Sequence, residues 1–245
     1  MVQLTASDLL RIWETGERQS SVEQALTVLA VAYPERSYEQ LLDLSLGERD
    51  RLLLGLRSSL FGPNLQAFAQ CPSCAQRLEF SFDVTQMSAP PWEPPSASES
   101  LSVAGFHLSF RLPCSRDLLL LSTHNHRQQA RRQLAHCCLQ TASGGDAQPL
   151  TADELPDAVI QKLAEHVLKC DPLQEIVLKL VCPACDRCWH PLLDIGTFLW
   201  CEIAACAKRL LHDVHTLAQA YGWSEAEILS LAPRRRQAYL EMVDG

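Results

Sequence analysis

The chain has 245 residues, of which 47% are hydrophobic, 20% charged and 7% aromatic. An apolar share in the ordinary globular range of about 45–50% excludes a wholly disordered chain, and a length beyond ~100–150 residues calls for one large domain or several small ones. With 21 basic against 29 acidic residues the formal charge is −8, the reverse of the basic footprint that phosphate backbones select, so nucleic acid is not the expected partner.

The opening sixty residues read as helices. Ser7 or Asp8 is the expected cap of a first helix through Trp13 that stops near Gly16. Ser21 opens a second through Val22, Ala25, Leu26, Leu29 and Ala32, whose apolar spacing is helical, and Pro34 ends it. Ser45-Leu-Gly-Glu48 has the form of a capping box ahead of Leu52, Leu53, Leu54 and Leu56, and Gly62-Pro63 closes that helix.

The period then changes. Leu78, Phe80, Phe82 and Val84 alternate with polar residues, the two-residue period of a half-buried strand. Residues 88–100 hold Pro90, Pro91, Pro94 and Pro95 and read as an extended linker. Strand-like pieces follow at 101–103 and 106–112, with a tight turn or bulge at Ala104-Gly105. Helix is expected over 115–139 with a break around His124-Asn125, then a loop over 141–148, then helix over 156–169. Ile176, Leu178 and Leu180 alternate toward a strand whose return is Trp189 to Leu193. A long helix runs from Thr197 to about Ala220, and two short ones finish the chain, the first capped by Ser224 and Glu227 and the second opened by Pro233.

Cys71-Pro-Ser-Cys74 and Cys182-Pro-Ala-Cys185 carry the chemistry. A C-x-x-C turn aims two thiolates at one ion, and two such turns complete a tetrahedral S4 shell suited to zinc. The 107 residues between Cys74 and Cys182 are no obstacle. Loop closure costs only about 0.6 kcal/mol per doubling of length, against roughly 10–16 kcal/mol of apparent zinc binding in finger peptides. Cys185-Asp-Arg-Cys188 has the same spacing and His190 is near, so Cys188 or His190 stands as an alternative ligand; the repeated Cys-Pro-x-Cys pattern favours Cys182 with Cys185. A redox use of the motif wants it at a helix start, whereas the first copy precedes a strand. Cys114, Cys137, Cys138, Cys170, Cys201 and Cys206 read as small core residues.

A closed four-cysteine site lacks the open position that metal catalysis requires. The chain has no HExxH, no GxSxG, no P-loop, no GxGxxG, and no H-x-E ahead of its cysteines, so catalysis and a small-molecule substrate are not expected. No apolar run reaches the ~18–20 residues of a membrane span. The start has no signal-peptide character, so a cytoplasmic setting is expected, where eleven cysteines are better explained by metal than by disulfides. The last long helix carries a near-heptad seam, Trp200, Ile203, Ala207, Leu210, Val214, Leu217 and Tyr221, fit for core packing or for a partner helix. Arg234-Arg-Arg236 is offset by neighbouring acids and reads as a solvated helix start.

Leu46-Gly-Glu-Arg-Asp-Arg51, Phe61-Gly62, the first knuckle, Arg111-Leu-Pro113, the second knuckle, Leu193-Asp194 leading into Phe198-Leu-Trp200, Leu211-His-Asp-Val-His215 and Pro233-Arg-Arg-Arg236 occur in an order that resembles the baseplate hub assembly proteins of T-even-like bacteriophages and their relatives in phage-tail-like contractile injection systems. The likeness spans roughly 45–243. It implies a non-enzymatic assembly chaperone or minor baseplate component, with hub or spike subunits as partners. Such knuckles usually carry glycine, in a left-handed conformation, after the second cysteine; here those positions are Ala75 and Asp186.

The fold expected is α+β, mainly α-helical, with a small split zinc-ribbon-like β module. Residues 1–66 form a helical region, 67–112 and 172–196 the two halves of the β module, 113–171 an inserted helical region, and 197–245 the long helix with its short successors. The expected metal ligands to a structural Zn2+ are Cys71, Cys74, Cys182 and Cys185. The expected partner-binding residues are Trp200, Leu210, Val214, Leu217, Tyr221, Trp223 and Tyr239. The alternative function is a zinc-ribbon nucleic-acid-binding regulator, with a thiol oxidoreductase third.

Overall fold

Among the residues that the computed structural model describes (2–86, 96, 98–121, 127–144 and 148–244), helices dominate and the strands are short and antiparallel. The chain forms two units, Met1–Arg36 with Gly196–Gly245 and Ser37–Ile195.

The first unit starts with α1 (Ala6–Gly16) and α2 (Ser21–Ala32). The cap of α1 is Thr5 rather than Ser7 or Asp8: the Asp8 amide donates to the Thr5 hydroxyl and the Asp8 carboxylate accepts the Thr5 amide. Ser20, not Ser21, plays that part for α2 with Glu23. In both, the carboxylate three residues on identifies the true cap. Leu9, Leu10, Ile12, Leu26 and Leu29 form the buried faces.

In the second unit, Ser37 and Gln40 box the short α3 (Tyr38–Leu42), and Ser45 caps α4 (Leu46–Phe61) by accepting the Glu48 amide. Gly62, at φ +86°, ends α4. The chain then enters β1 (Asn64–Gln70), turns through the first cysteine knuckle and returns as β2 (Arg77–Asp83), with Asn64 opposite Asp83 and Gln70 opposite Arg77. β2 is the anticipated strand; β1 was not anticipated. The proline-rich stretch lies almost wholly outside the described residues, although Glu99 and Ser100 already belong to a strand.

β3 (Glu99–Val103) and β4 (Phe106–Phe110) form a hairpin closed by Ala104 at φ +50° and Gly105 at φ +81°, a two-residue turn of the mirror-image kind that suits strand twist. Helix α5 (Ser115–Leu121) and helix α6 (Arg127–Cys138) flank the expected break at His124-Asn125, which falls outside the described residues. Leu139–Ser143 is β5, which completes the sheet in the order β3-β4-β5 and replaces the first part of the expected 141–148 loop. α7 (Asp157–Cys170) lays Val159, Ile160, Leu163 and Val167 in a core with Leu108, Phe110, Leu112, Ala135, Ala142 and Leu155. The anticipated returning strand pair is two short ladders, β6 (Ile176–Val177) with β9 (Leu192–Leu193) and β7 (Leu180–Val181) with β8 (Cys188–Trp189).

Back in the first unit, α8 (Ile195–Tyr221) buries Leu199, Ile203, Ala207, Leu210 and Leu217. A Cβ at Gly16 would lie 2.4 Å from the Trp200 ring, so glycine there gives α1 room against that ring. α9 (Glu225–Ser230), capped by Ser224 with Glu227, and α10 (Pro233–Asp244) fold back so that Ile228 and Leu240 cover Leu217. Within the basic run, Arg236 is buried and its Nε donates to Asp213 at 3.1 Å, while Arg234 and Arg235 are exposed. Cys114 and Cys138 are core residues as expected, Cys137, Cys170 and Cys206 are half-buried, and Cys201 is exposed. Among the described residues no helix is long and apolar enough to cross a membrane.

Candidate metal centre

Both knuckles are built alike. In the first, the Ala75 amide donates to the Cys71 carbonyl at 3.0 Å and the Cys71 amide to the Gln76 carbonyl at 2.9 Å. In the second, the Asp186 amide donates to the Cys182 carbonyl and the Cys182 amide to the Arg187 carbonyl, both at 2.9 Å. Each turn requires a left-handed residue after its second cysteine. Ala75 (φ +59°) and Asp186 (φ +55°) adopt that conformation without being glycine. Aspartate tolerates it better than alanine, so Ala75 carries the greater strain.

The turns bring together the thiols of Cys71, Cys74, Cys182 and Cys185, whose sulfurs all lie within 4.8 Å of one another, close enough to hold a metal ion. Cys71 Sγ is 3.7 Å from Cys185 Sγ, and Cys74 Sγ is 3.5 Å from Cys182 Sγ. A tetrahedral ion bonded to sulfur at about 2.3 Å places its ligands about 3.8 Å apart, so these separations fit zinc. The first cysteine of each knuckle is buried and the second exposed. Cys188 and His190 are exposed and stand outside the cluster, which contains Cys182 with Cys185.

Electrostatics set Cys71 and Cys74 apart. Burial opposes ionisation of Cys71, but amide donors from Cys74 and Ser73, with the Cys185 thiol, outweigh it and bring Cys71 down to about 6. For Cys74 the Gln76 amide favours the thiolate, yet the Cys182 and Cys185 thiols outweigh it and push the group up to about 12. The shell favours one thiolate and resists the next, as four like charges without a central cation must.

Two long-range contacts elsewhere in the same unit were not disclosed by the sequence. The buried Asp171 carboxylate accepts the Gly47 amide at 2.8 Å in the first turn of α4, and the turn at Pro172–Gln174 lies against that helix. Arg111 grips Asp117 with two bonds of 2.7 and 2.6 Å and also donates to the Cys137 carbonyl, which ties the end of β4 to α5 and α6.

Of the residues expected to bind a partner, Leu210 and Leu217 are buried within the chain, and Trp200, Val214, Trp223 and Tyr239 are half-buried. Tyr221, Trp223 and Tyr239 form an aromatic cluster with ring centroids 4.7 to 5.7 Å apart, and Tyr221 is its exposed member at 39%.

The family described as T4 bacteriophage base plate protein matches residues 5–200, four-fifths of the chain. The chain belongs to that family. The base plate match takes in the helical opening, which the sequence likeness had left out, together with both knuckles, Gly47, Asp171 and Arg111. It stops at Trp200, so Leu210, Val214, Leu217, Tyr221, Trp223 and Tyr239 lie beyond it. Comparison with curated proteins and with solved structures gives no match.

Proposed function

We propose that this base plate protein is a non-enzymatic assembly factor or minor component of the baseplate hub in a contractile, phage-tail-like particle, held in shape by one structural zinc. The observation that carries the zinc is the four-thiol shell: two distant knuckles supply matched ligands at tetrahedral separations. The residues that would hold it are Cys71, Cys74, Cys182 and Cys185. Bound there, zinc supplies charge neutralisation and a cross-link rather than an open coordination position. The chain's own residues do the rest: the knuckle turns aim the sulfurs, while the Asp171 and Arg111 contacts hold α4, α5 and α6 within the same unit. In this reading the module is a zinc ribbon split by the insert 113–171.

The hub role is supported by membership of the base plate family and by the order of motifs along the chain. Its partners would be hub or spike subunits, met in the cytoplasm of the cell that builds the particle. The exposed Tyr221 edge of the aromatic cluster is the candidate contact, with Val214, Leu217, Trp223 and Tyr239 packed beneath it, while Trp200 and Leu210 lie further back along α8. The test is sedimentation of a tagged copy expressed with its neighbouring genes, followed by mass spectrometry of particle and soluble fractions. Travel with assembled particles identifies a structural component, and a soluble complex with hub or spike subunits identifies a chaperone. Absence of both associations overturns the hub role.

A further inference from the structure

The four thiols are not equivalent. Each of the two direct thiol contacts joins one sulfur from either knuckle and pairs an exposed with a buried group: Cys185 with Cys71, and Cys74 with Cys182. An oxidant arriving from solvent meets Cys74 and Cys185 first, and the sulfur standing 3.5 or 3.7 Å behind each belongs to the opposite knuckle.

We infer that oxidation converts the centre into two cross-knuckle disulfides, Cys71–Cys185 and Cys74–Cys182, so that the two chain segments stay joined when the metal is lost. The inference rests on the four-thiol centre proposed above and concerns its regulation. With hydrogen peroxide the chemistry balances. Cysteines serve as metal ligands in the thiolate form, and in that form the exposed one attacks peroxide, taking one oxygen to become a sulfenic acid and releasing hydroxide. The buried thiolate then attacks that sulfur, forms the S–S bond and expels the second hydroxide. Each disulfide consumes one peroxide and gives up two electrons. Two such events remove all four thiolate charges, and a divalent cation then has no anionic ligand left in the shell.

The sulfurs must close from 3.5–3.7 Å to about 2.0 Å, a movement within reach of side-chain rotation in knuckles whose backbone bonds are already made. The result is a covalent clamp between the same segments, formed when the protein leaves a reducing compartment.

The sequence provides its own assay. Trypsin cleaves after Arg57, Arg77, Lys179 and Arg187, so Cys71 and Cys74 fall on peptide 58–77 while Cys182 and Cys185 fall on peptide 180–187. The full-length protein is purified reduced, its zinc measured by mass spectrometry, and the sample treated with hydrogen peroxide beside a colorimetric zinc chelator. Remaining thiols are alkylated and the protein digested without reductant. The expected result is zinc release together with one species holding both peptides, four hydrogens lighter than their sum.

Two separate peptides, each two hydrogens lighter, would show closure within the knuckles and overturn the inference, as would alkylated thiols after full zinc release. Retained zinc with unoxidised thiols overturns it too, while leaving the metal reading intact. Cross-linked peptides from protein that never carried zinc support the inference and defeat the metal reading instead. As an independent readout, the oxidised protein should keep its thermal transition in chelator, which the reduced protein should lose.

Discussion

Gly47 and Asp171, 124 residues apart, are in such close contact that a single added methyl group would abolish it. The Asp171 carboxylate accepts the Gly47 amide at 2.8 Å, and a Cβ on Gly47 would fall 1.7 Å from Asp171 Oδ1. The carboxylate satisfies an otherwise orphaned amide in the first turn of α4, where negative charge is favoured by the helix dipole. Gly47→Ala therefore combines overpacking, about 1–3 kcal/mol, with loss of a charged hydrogen bond, about 1.5–3 kcal/mol. Denaturant unfolding should show a loss near the sum, and Asp171→Ala should lose only the second part. Because Asp171→Ala also removes the clash, the double variant should be less destabilised than the two single losses added together, and strict additivity would refute the contact.

Replacing a ligand should remove the metal. Cys71→Ser or Cys182→Ser is expected to abolish stoichiometric zinc and lower the thermal midpoint by on the order of 10 °C, at roughly 2–4 °C per kcal/mol for a chain of this size. Cys188→Ser should keep both zinc and midpoint, because Cys188 stands outside the cluster. Zinc analysis beside calorimetry decides it, and a Cys71→Ser protein with full zinc and full stability would sink the centre.

Acid should weaken the Arg111–Asp117 clamp. Burial pushes the Asp117 carboxyl up, but the Arg111 guanidinium and the Cys114 amide outweigh it and hold the group below the usual carboxylate range. A depressed folded-state pKa means that the stabilisation is complete above the unfolded value, near 3.9, and is lost as pH falls through the folded one. The stability difference between the parent and Asp117→Asn should thus be constant near neutrality and shrink as the pH falls below about 5 and on through the depressed folded-state value. Buried Asp50, raised chiefly by desolvation, acts in the opposite sense but is common to both proteins and cancels. A difference independent of pH would show that Asp117 is not an ionised partner of Arg111.

The aromatic cluster separates packing from partner binding. Trp223 packs against the core of Leu217, Ile228 and Leu240, so Trp223→Ala should cost about 2–4 kcal/mol in unfolding experiments. Tyr221 is exposed, and Tyr221→Ser should change stability by no more than about 1 kcal/mol. If hub or spike subunits dock on this edge, that mild variant should recover less of them in co-purification from cells expressing the neighbouring genes; unchanged recovery would move the interface elsewhere.

Legibility in the sequence followed the range of the interactions. The knuckles could be read because Cys-Pro-x-Cys is a local instruction, and the left-handed positions after them fell at Ala75 and Asp186 because the turn demands that conformation whichever residue is present. The strand β2 showed clear alternation, whereas its partner β1, with glutamines and alanines and a Phe68 that is 64% exposed, is a strand because Leu78, Phe80 and Phe82 lie opposite it. In the same way Thr141–Ser143 extends by pairing with β4 rather than by propensity. The caps at Thr5 and Ser20 were misplaced by one to three residues through weighing the hydroxyl or carboxyl alone and not its partner three positions on. The Asp171 contact has no local signature, since nothing beside it in the sequence indicates which distant amide it will meet.

A metal or disulfide cross-link between the knuckles would also decide how the chain bears load. With the cross-link closed, residues 75–181 form a loop whose two ends are fastened at one point. Tension entering through residues before Cys71 and leaving through residues after Cys185 crosses the sulfurs and bypasses α5, α6, α7 and the three-stranded sheet. Those elements are mechanically in parallel with a short, stiff link, and pulling would extend them only after it breaks.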